Sequence, residues 1–231
     1  MSRSSAETRQ VLYAAGLRRF ATEGWRSARV RDIVADAGQA NDSAINYHFG
    51  SRSGLLGEIL NRGVARMEDE RRADLERWTA ATPELGEVVR GVVAPLADLL
   101  LDDEGRCLLR VIAQVGPLTE VGRTVTAAPV ERTVLQEQLA LLVAGASQRC
   151  GEEVARHRVR QLVVMATSEL AVRAEGEVGD PPSHAEYVAD LIDWLALGLA
   201  RPRVAVAEND IEADQKVFWQ TRNVFPIVTR S

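Results

Sequence analysis

Apolar residues recur at the spacing of an α-helix along nearly the whole chain of 231 residues. The first such stripe ends at Gly24, a shorter second one ends at Gly38, and a third ends at Gly50. Glycine commonly stops a helix at its C-terminus. The first stripe consists of Leu12, Tyr13, Gly16, Leu17 and Phe20. No alternating apolar pattern of useful length indicates a strand, so the spacing predicts an all-α fold.

The same pattern divides the chain into three parts. The segment 1–54 contains three helices, and Ser51 is placed to cap a fourth, longer helix. Further helices are predicted over 84–101, 105–115, 130–149, 152–174 and 184–200. We therefore expect an N-terminal domain over 1–54, a larger helical domain over 55–200, and a tail over 201–231 whose structure the sequence leaves open.

The composition is that of an ordinary folded chain, with 46% hydrophobic residues, 26% charged residues and a net charge of −5. No apolar run approaches the roughly twenty residues that a membrane helix needs, and the N-terminus lacks the apolar stretch of a signal peptide. We expect a cytoplasmic protein with no membrane partner. Cys107 and Cys150, the only two cysteines, are predicted to be buried reduced thiols; a redox switch is the alternative.

Charge is distributed unevenly along the chain. The first sixty residues carry eight arginines against six acidic residues, whereas the remainder carries 20 basic against 27 acidic residues. The N-terminal segment is thus the relatively basic end of an acidic chain. This distribution permits a phosphate-binding surface there but does not require one.

Two short helices joined by a tight glycine turn, after a longer first helix, predict a helix-turn-helix. In such a unit the second helix braces the third, which lies in the major groove of DNA with apolar residues facing inward and short polar residues facing outward. The segment 39–49 meets this description. Ile45 and Phe49 are predicted to face the core, which leaves the polar side chains between Asn41 and Tyr47 free to reach DNA.

Over roughly residues 8–60 the chain resembles the N-terminal domain of the tetracycline-repressor (TetR) family. The strings that carry the resemblance are Val30-Arg31-Asp32-Ile33-Val34, Ala37-Gly38, Asn46-Tyr47-His48-Phe49-Gly50-Ser51-Arg52 and Leu55-Leu56. Two features depart from the family pattern. One extra residue separates Ala37-Gly38 from Tyr47. Arg29 also stands where the family usually has Ser or Thr, so Ser27 is expected to cap the second helix and leave Arg29 free to contact phosphate.

The resemblance implies eight DNA-contacting residues. They are Arg29, Asn41, Ser43, Asn46, Tyr47, His48, Ser51 and Arg52. The two asparagines and Ser43 are expected to read base edges, since asparagine can pair with adenine through two hydrogen bonds. The others are expected to contact phosphate or the wall of the groove.

Several of these residues have a purely structural alternative. Tyr47 could pack against the first helix, His48 could be structural, and Arg52 could be a solvated surface charge. Asp42, next to the base-reading set, is expected to cap the third helix rather than to read a base.

For the rest of the chain the resemblance implies a ligand-binding and dimerisation domain. The helices over 152–174 and 184–200 are expected to form a four-helix bundle between the subunits of a homodimer; the alternative is that they close the core of the monomer. Helices between about 84 and 150 would enclose a cavity for an unidentified small-molecule effector. Arg90, Arg110 and Gln114 are polar candidates there, although surface or core-paired roles are the alternative, and no ligand-binding residue is assigned.

An enzyme is the competing class of function. The histidines at 48, 157 and 184 are scattered, and the pair formed by Glu153 and His157 has no second pair to complete a metal site. Neither a glycine-rich phosphate loop nor a nucleophile elbow is present. We therefore predict no catalytic residue, no metal and no cofactor.

The sequence predicts a DNA-binding transcriptional regulator, a repressor that binds a palindromic operator as a homodimer and is released by a small molecule. The alternative is a helical adaptor or ligand-binding protein of the same fold that has lost DNA binding. The operator, the regulated genes, the ligand, and the choice between repression and activation are not readable from the residues.

Overall fold

The structure is a computed structural model that describes residues 4–41, 43–115, 134–176 and 182–203. These residues form nine α-helices and one 3₁₀ turn, with no strand among them, and the predicted all-α fold is confirmed. In chain order the elements are α1 (Ser5–Glu23), α2 (Val30–Asp36), α3 (Ala44–Phe49), α4 (Arg52–Ala80), α5 (Leu85–Ala97), the 3₁₀ turn (Asp98–Leu101), α6 (Asp103–Val115), α7 (Val134–Cys150), α8 (Glu152–Glu175) and α9 (His184–Ala200).

The described helices all lie within one compact unit, which ends at Arg201. The helix α4 runs without a break across position 54, where the sequence suggested a domain boundary. Most of the predicted tail over 201–231 lies outside the described residues. In the described part of the chain, no helix is both long and apolar enough to cross a membrane.

Helix ends follow the local chemistry of their caps. The Ser51 hydroxyl oxygen accepts a hydrogen bond from the Gly54 N–H at 2.9 Å, so its predicted role as the cap of α4 is confirmed. Ser4 with Glu7, and Ser183 with Glu186, form reciprocal capping boxes at the starts of α1 and α9.

Three predicted helix starts and ends are wrong. Ser27 does not cap α2, because Arg29 occupies the cap position and its side chain makes no capping bond. The sequence also predicts that the third helix begins near Asn41 or Asp42, both good capping residues, but it begins at Ala44. The Asn41 side-chain oxygen instead accepts from the Ser43 N–H at 2.9 Å, and Asp42 lies outside the described residues. The helix predicted over 84–101 tightens to a 3₁₀ turn after Ala97, because the chain must become extended at Asp102, which caps α6.

One core runs through the compact unit, and the apolar stripes read from the sequence line it. The stripe of α8, represented by Leu162 and Ala166, and that of α9, represented by Leu191 and Leu195, are buried inside the single chain. There α8 packs on α6 and α7, and α9 packs on α5. These stripes therefore close the monomer core, as the alternative proposed, and contact with a second copy would use the other faces of α8 and α9.

The two cysteines are free thiols, with Cys150 buried and Cys107 half-buried. Burial also raises the pKa of the Cys107 thiol, which keeps it protonated and poorly nucleophilic at neutral pH. Both residues act as small apolar groups of the core, Cys150 as a fully packed member and Cys107 against its edge.

Candidate nucleic-acid interface

The short helix α3 is held in place by its apolar side. Ile45 is fully buried, and Phe49 is half-buried against the core, as predicted. The Arg9 guanidinium of α1 lies 5.1 Å from the centroid of the Phe49 ring, a cation–π distance. A six-residue helix has little stability of its own, so these tertiary contacts determine where α3 lies.

A close approach of backbones fixes α3 against the start of α4. A Cβ atom added to Gly54 would collide with the carbonyl oxygen of Phe49, the last residue of α3. Between them Gly50 has a φ of +74°, a left-handed conformation in which glycine carries no steric penalty. Gly54 thus positions α3 against α4, a role that the sequence analysis missed. The only indication of it in the sequence is that Gly50 lies four residues before.

The opposite side of α3 is polar and open. Asn41, Ser43 and Asn46 are exposed, and the Tyr47 side chain is 80% exposed. The alternative that Tyr47 packs against α1 is therefore wrong. Its ring instead meets the half-buried His48 ring edge to face, with 4.9 Å between the centroids. The predicted base-reading residues are thus all exposed, on α3 and the turn before it, and the exposed Tyr47 ring follows Asn46 directly.

Arg52 is bonded to the protein's own backbone rather than solvated. Its Nη1 donates to the Arg26 carbonyl at 2.8 Å and to the Ala28 carbonyl at 3.4 Å. Its guanidinium also lies 6.0 Å from the Trp25 ring centroid. These contacts tie the start of α4 to the connection between α1 and α2. The solvated-charge alternative is wrong, and the predicted phosphate contact stays a prediction.

Arg29 is exposed at the start of α2, on the connection that Arg52 holds. Arg26, two residues past Gly24, stacks on Trp25 with 5.1 Å between the guanidinium carbon and the ring centroid. Arg31 is exposed as well and lies 3.4 Å from an Asp32 carboxylate oxygen. Three arginine side chains thus border the turn between α1 and α2, which gives the helix-turn-helix a cationic edge.

A glutamine of α6 holds the turn between α1 and α2. The Gln114 Oε1 accepts from the Trp25 N–H at 2.9 Å, and its Nε2 donates to the Phe20 carbonyl at 2.9 Å. Of the effector-binding, surface and core-paired roles weighed for Gln114, the hydrogen bonds support the core-paired one. We call this pair of bonds the Gln114 bridge. It ties the helix-turn-helix to the larger helical body.

A second polar contact between α1 and α6 involves Tyr13 of α1. Its hydroxyl donates to the Glu104 carboxylate at 3.1 Å, and the Arg62 guanidinium lies 4.1 Å from its ring centroid. Burial, and to a smaller extent the negative charge of Glu104, raise the pKa of Tyr13 to about 12. The phenol is therefore neutral under ordinary conditions and able to donate this bond.

Among the described residues, no group of three or more histidine, cysteine or carboxylate side chains is arranged to hold a metal ion. His157 Nδ1 lies 2.8 Å from an Arg160 guanidinium nitrogen, which sets it within a basic pair. Of the two remaining effector candidates, Arg110 faces Glu175 at 3.5 Å and Arg90 lies along a groove between α4 and α5.

The sequence and the structure were compared with those of known proteins. Residues 12–59 match the family model of bacterial regulatory proteins of the tetR family. No curated protein matches the chain. Among solved structures, a TetR-family transcriptional regulator of Mesorhizobium loti is 18% identical, with 86% of this chain and 98% of that chain covered and a TM-score of 0.46. NalD of Pseudomonas aeruginosa, the secondary repressor of the MexAB-OprM efflux pump, is 17% identical, with 82% and 95% covered and a TM-score of 0.47.

The matched segment begins within α1 and ends within α4, so it contains the whole of α2 and α3 and the contacts of Arg52 and Gly54. Residues 12–59 thus match the domain that defines the tetR family of bacterial regulatory proteins.

Proposed function

We propose that the protein is a transcriptional repressor that binds a palindromic operator as a homodimer through α3 and is released by a small molecule. One observation carries this proposal. The Tyr47 side chain is 80% exposed between Asn46 and His48, on a helix that Ile45 anchors from its buried side. Tyrosine is enriched at binding interfaces because its ring is apolar and its hydroxyl can hydrogen-bond, so we take this side of α3 as the partner-binding surface.

Duplex DNA fits the chemistry of this surface. Exposed Asn41, Ser43 and Asn46 supply the short donors and acceptors that base edges require, and a well-placed asparagine contributes about 1–3 kcal/mol of discrimination. Tyr47 and His48 would reach the wall of the groove or a phosphate. Arg29 at the start of α2, and Ser51 and Arg52 at the start of α4, would contact phosphates of the DNA backbone.

An apolar surface on α8 and α9 supports a dimer. The Trp194 and Leu197 side chains of α9 are 53% and 72% exposed, and Met165 of α8 is exposed beside them. Together they line a groove of about 480 Å³. Monomers rarely leave several large apolar side chains in one exposed patch. A second copy, related by a two-fold axis, would cover this patch and present two α3 helices to two half-sites.

Release by a small molecule requires a mechanical link between the helical body and α3. The Gln114 bridge and the bond from Tyr13 to Glu104 both join α6 to α1 or to the turn after it. A ligand that shifts α6 would therefore shift the helix-turn-helix with it. Such a ligand binds the released state more tightly than the DNA-binding state, and the two affinities are coupled.

The experiment that tests DNA binding uses short duplexes from the DNA flanking the protein's own coding region. Wild type and Tyr47→Ala are compared by fluorescence anisotropy at two salt concentrations, with Leu101→Ala as the control because Leu101 is an exposed apolar residue of the 3₁₀ turn. We expect wild type to bind tightly and to lose roughly 10³-fold or more in affinity between 50 and 200 mM salt if it contacts six to ten phosphates.

Tyr47→Ala should weaken binding at least tenfold, or about 1.4 kcal/mol, with an unchanged melting temperature, because so exposed a side chain contributes little to the core. Leu101→Ala should bind like wild type. A folded dimer that binds no fragment of the genome better than random DNA would contradict the proposal and favour the adaptor alternative.

Dimerisation is tested separately by sedimentation of Leu197→Asp, with Leu101→Asp as the matched control. A charge introduced into the exposed patch should convert the dimer to a monomer, since an unpaired buried charge costs several kcal/mol at an interface. The helical circular dichroism should stay unchanged, and operator affinity should fall with the dimer. A Leu197→Asp protein that remains dimeric would show that the interface lies elsewhere.

A further inference from the structure

A buried arginine in the middle of α4 lacks the partner that its charge requires. Arg71 is only 2% exposed. Its Nη2 donates to the Val92 carbonyl of α5 at 3.4 Å, at the long end of the hydrogen-bond range. Its Nε and Nη1 have no hydrogen-bond partner in the part of the chain that the structure describes. At least three of the five N–H donors of this guanidinium are therefore unused.

Nearby carboxylates do not neutralise this charge by contact. Glu68 and Glu70 act on Arg71 only through space, and Glu68 is paired with Arg72 at 3.0 Å. Burial outweighs them and lowers the pKa of Arg71 to about 10, so the group is still a cation at neutral pH. A buried cation without a bonded anion is strongly unfavourable, and such positions in proteins are normally occupied by a counter-charge.

A buried glutamine of α7 adds an unused acceptor at the same level of the core. Gln138 is 0% exposed; its Nε2 donates to the Gly91 carbonyl at 3.4 Å, and its Oε1 has no partner among the described residues. The Gly91 carbonyl needs this outside donor because Pro95, four residues later, has no N–H to give it. Arg71 and Gln138 thus bond to adjacent carbonyls of α5, one bringing unused donors and the other an unused acceptor.

We propose that Arg71 and Gln138 form the binding site for an organic monocarboxylate, and that this acid is the effector of the regulator. The carboxylate would pair with the planar guanidinium fork of Arg71, and a hydroxyl or amide N–H of the same molecule would donate to Gln138 Oε1. This inference rests on the proposed function, since it names the chemical class of the releasing ligand.

The single charge of Arg71 selects a monoanion. One carboxylate neutralises it, whereas a phosphate dianion would leave a second, uncompensated negative charge in the core. The ligand's remainder must be largely apolar. Apart from Asp74 of α4, which is paired with Arg77, the other buried positions of these helices are apolar, among them Met67 of α4, Val88 and Val92 of α5, and Leu142 of α7. A short-chain or medium-chain acid, with or without a hydroxyl group, meets both conditions.

The test is thermal unfolding of the full chain with the straight-chain acids from butyrate to octanoate, their 3-hydroxy counterparts, and the primary alcohols of equal length. At about one hundred times its Kd, a fitting acid should raise the unfolding midpoint by about 5–10 °C. The matched alcohol, which lacks the charge, should raise it by less than about 1 °C. Gln138→Leu should abolish any preference for a 3-hydroxy acid over the plain acid.

The decisive variants are Arg71→Met, which keeps the length of the side chain without its charge, and Arg71→Lys, which keeps the charge without the fork. Both should lose at least tenfold in affinity for the acid, and Arg71→Met should be at least as stable as wild type without ligand. Arg72→Met, at the exposed neighbouring position, is the control and should respond like wild type.

Two results would overturn the inference. In the first, no acid of the series stabilises wild type more than its alcohol does. In the second, Arg71→Met and Arg71→Lys both retain the response. Operator binding by unliganded wild type is measured in parallel, so that failure of the ligand site with intact DNA binding refutes this inference alone, and loss of DNA binding refutes the proposed function.

Discussion

Replacing Gln114 with leucine should loosen the helix-turn-helix from the helical body. The change removes both hydrogen bonds of the Gln114 bridge while keeping a side chain of similar size. The Phe20 carbonyl retains the Gly24 N–H at 3.2 Å, so its loss should be about 1 kcal/mol. The half-buried Trp25 N–H has no other bond in the described part of the chain, and leaving it unpaired should cost about 1–2 kcal/mol more.

The sum, about 2–3 kcal/mol, should lower the melting temperature of a protein of this size by about 4–12 °C. Circular dichroism on Gln114→Leu and Gln114→Glu measures it. Glutamate can still accept from the Trp25 N–H but cannot donate to the Phe20 carbonyl, so it should lie between wild type and leucine. Gln148→Leu, on an exposed position of α7, controls for adding a leucine. A Gln114→Leu protein within about 0.5 kcal/mol of wild type would refute the reasoning, since that range is typical of inert surface changes.

Two other perturbations test the packing around α3 and α1. Gly54→Ala should destabilise the protein by about 2 kcal/mol or more and weaken DNA binding, because the added Cβ meets backbone atoms that cannot rotate away. Gly57→Ala, one turn later and facing open space, should stabilise the protein by about 0.5–1 kcal/mol. Equal melting temperatures for the two variants would contradict this. Since the folded pKa of Tyr13 is raised to about 12 from its ordinary value of 10.0, its contribution is complete below pH 10 and is lost as the pH rises to about 12. Urea unfolding over that range should show wild type losing about 1–2 kcal/mol more than Tyr13→Phe; parallel curves would show that the phenol does not titrate as argued.

The helices were predictable from the sequence because amphipathic periodicity is a local property. Each stripe needs only one side of one helix to be apolar, and the breaks at Gly24 and Gly50 are set by the conformation of a single residue. The errors arise where two local preferences compete. Ser27 has the chemistry of a cap, but the turn after Gly24 is closed by backbone bonds and by Gln114, and the helix begins past it at Val30.

The direction in which a stripe faces was not predictable. The buried side of α8 and α9 has the same pattern whether it covers the chain's own core or a second subunit, because both bury apolar surface equally well. Only the packing of α8 on α6 and α7 assigns the stripe to the monomer core. It also shows that a different set of side chains, those around Trp194, is left exposed.

The polar contacts that join distant parts of the chain could not be predicted from the sequence either. Gln114 and Trp25 are 89 positions apart, and Arg71 meets α5 across 21 positions. A lone glutamine or arginine on a helix has no pattern around it that names its partner. The exposed side of α3 was predictable for the opposite reason, since Ile45, Phe49 and the polar residues between them lie within one short segment.

The length of α4 gives it a mechanical role. Its 29 residues extend about 44 Å at 1.5 Å per residue, and about 25 Å of that separates Arg71 from Gly54, where the helix touches α3. A stiff helix acts as a lever, so a tilt of about 5° at the level of Arg71 would displace its first turn by about 2 Å. In a two-fold dimer the two displacements add to about 4 Å, close to the 3.4 Å rise of a base pair. A change the size of one side chain would thereby alter the reach of the paired helices by one step along the DNA.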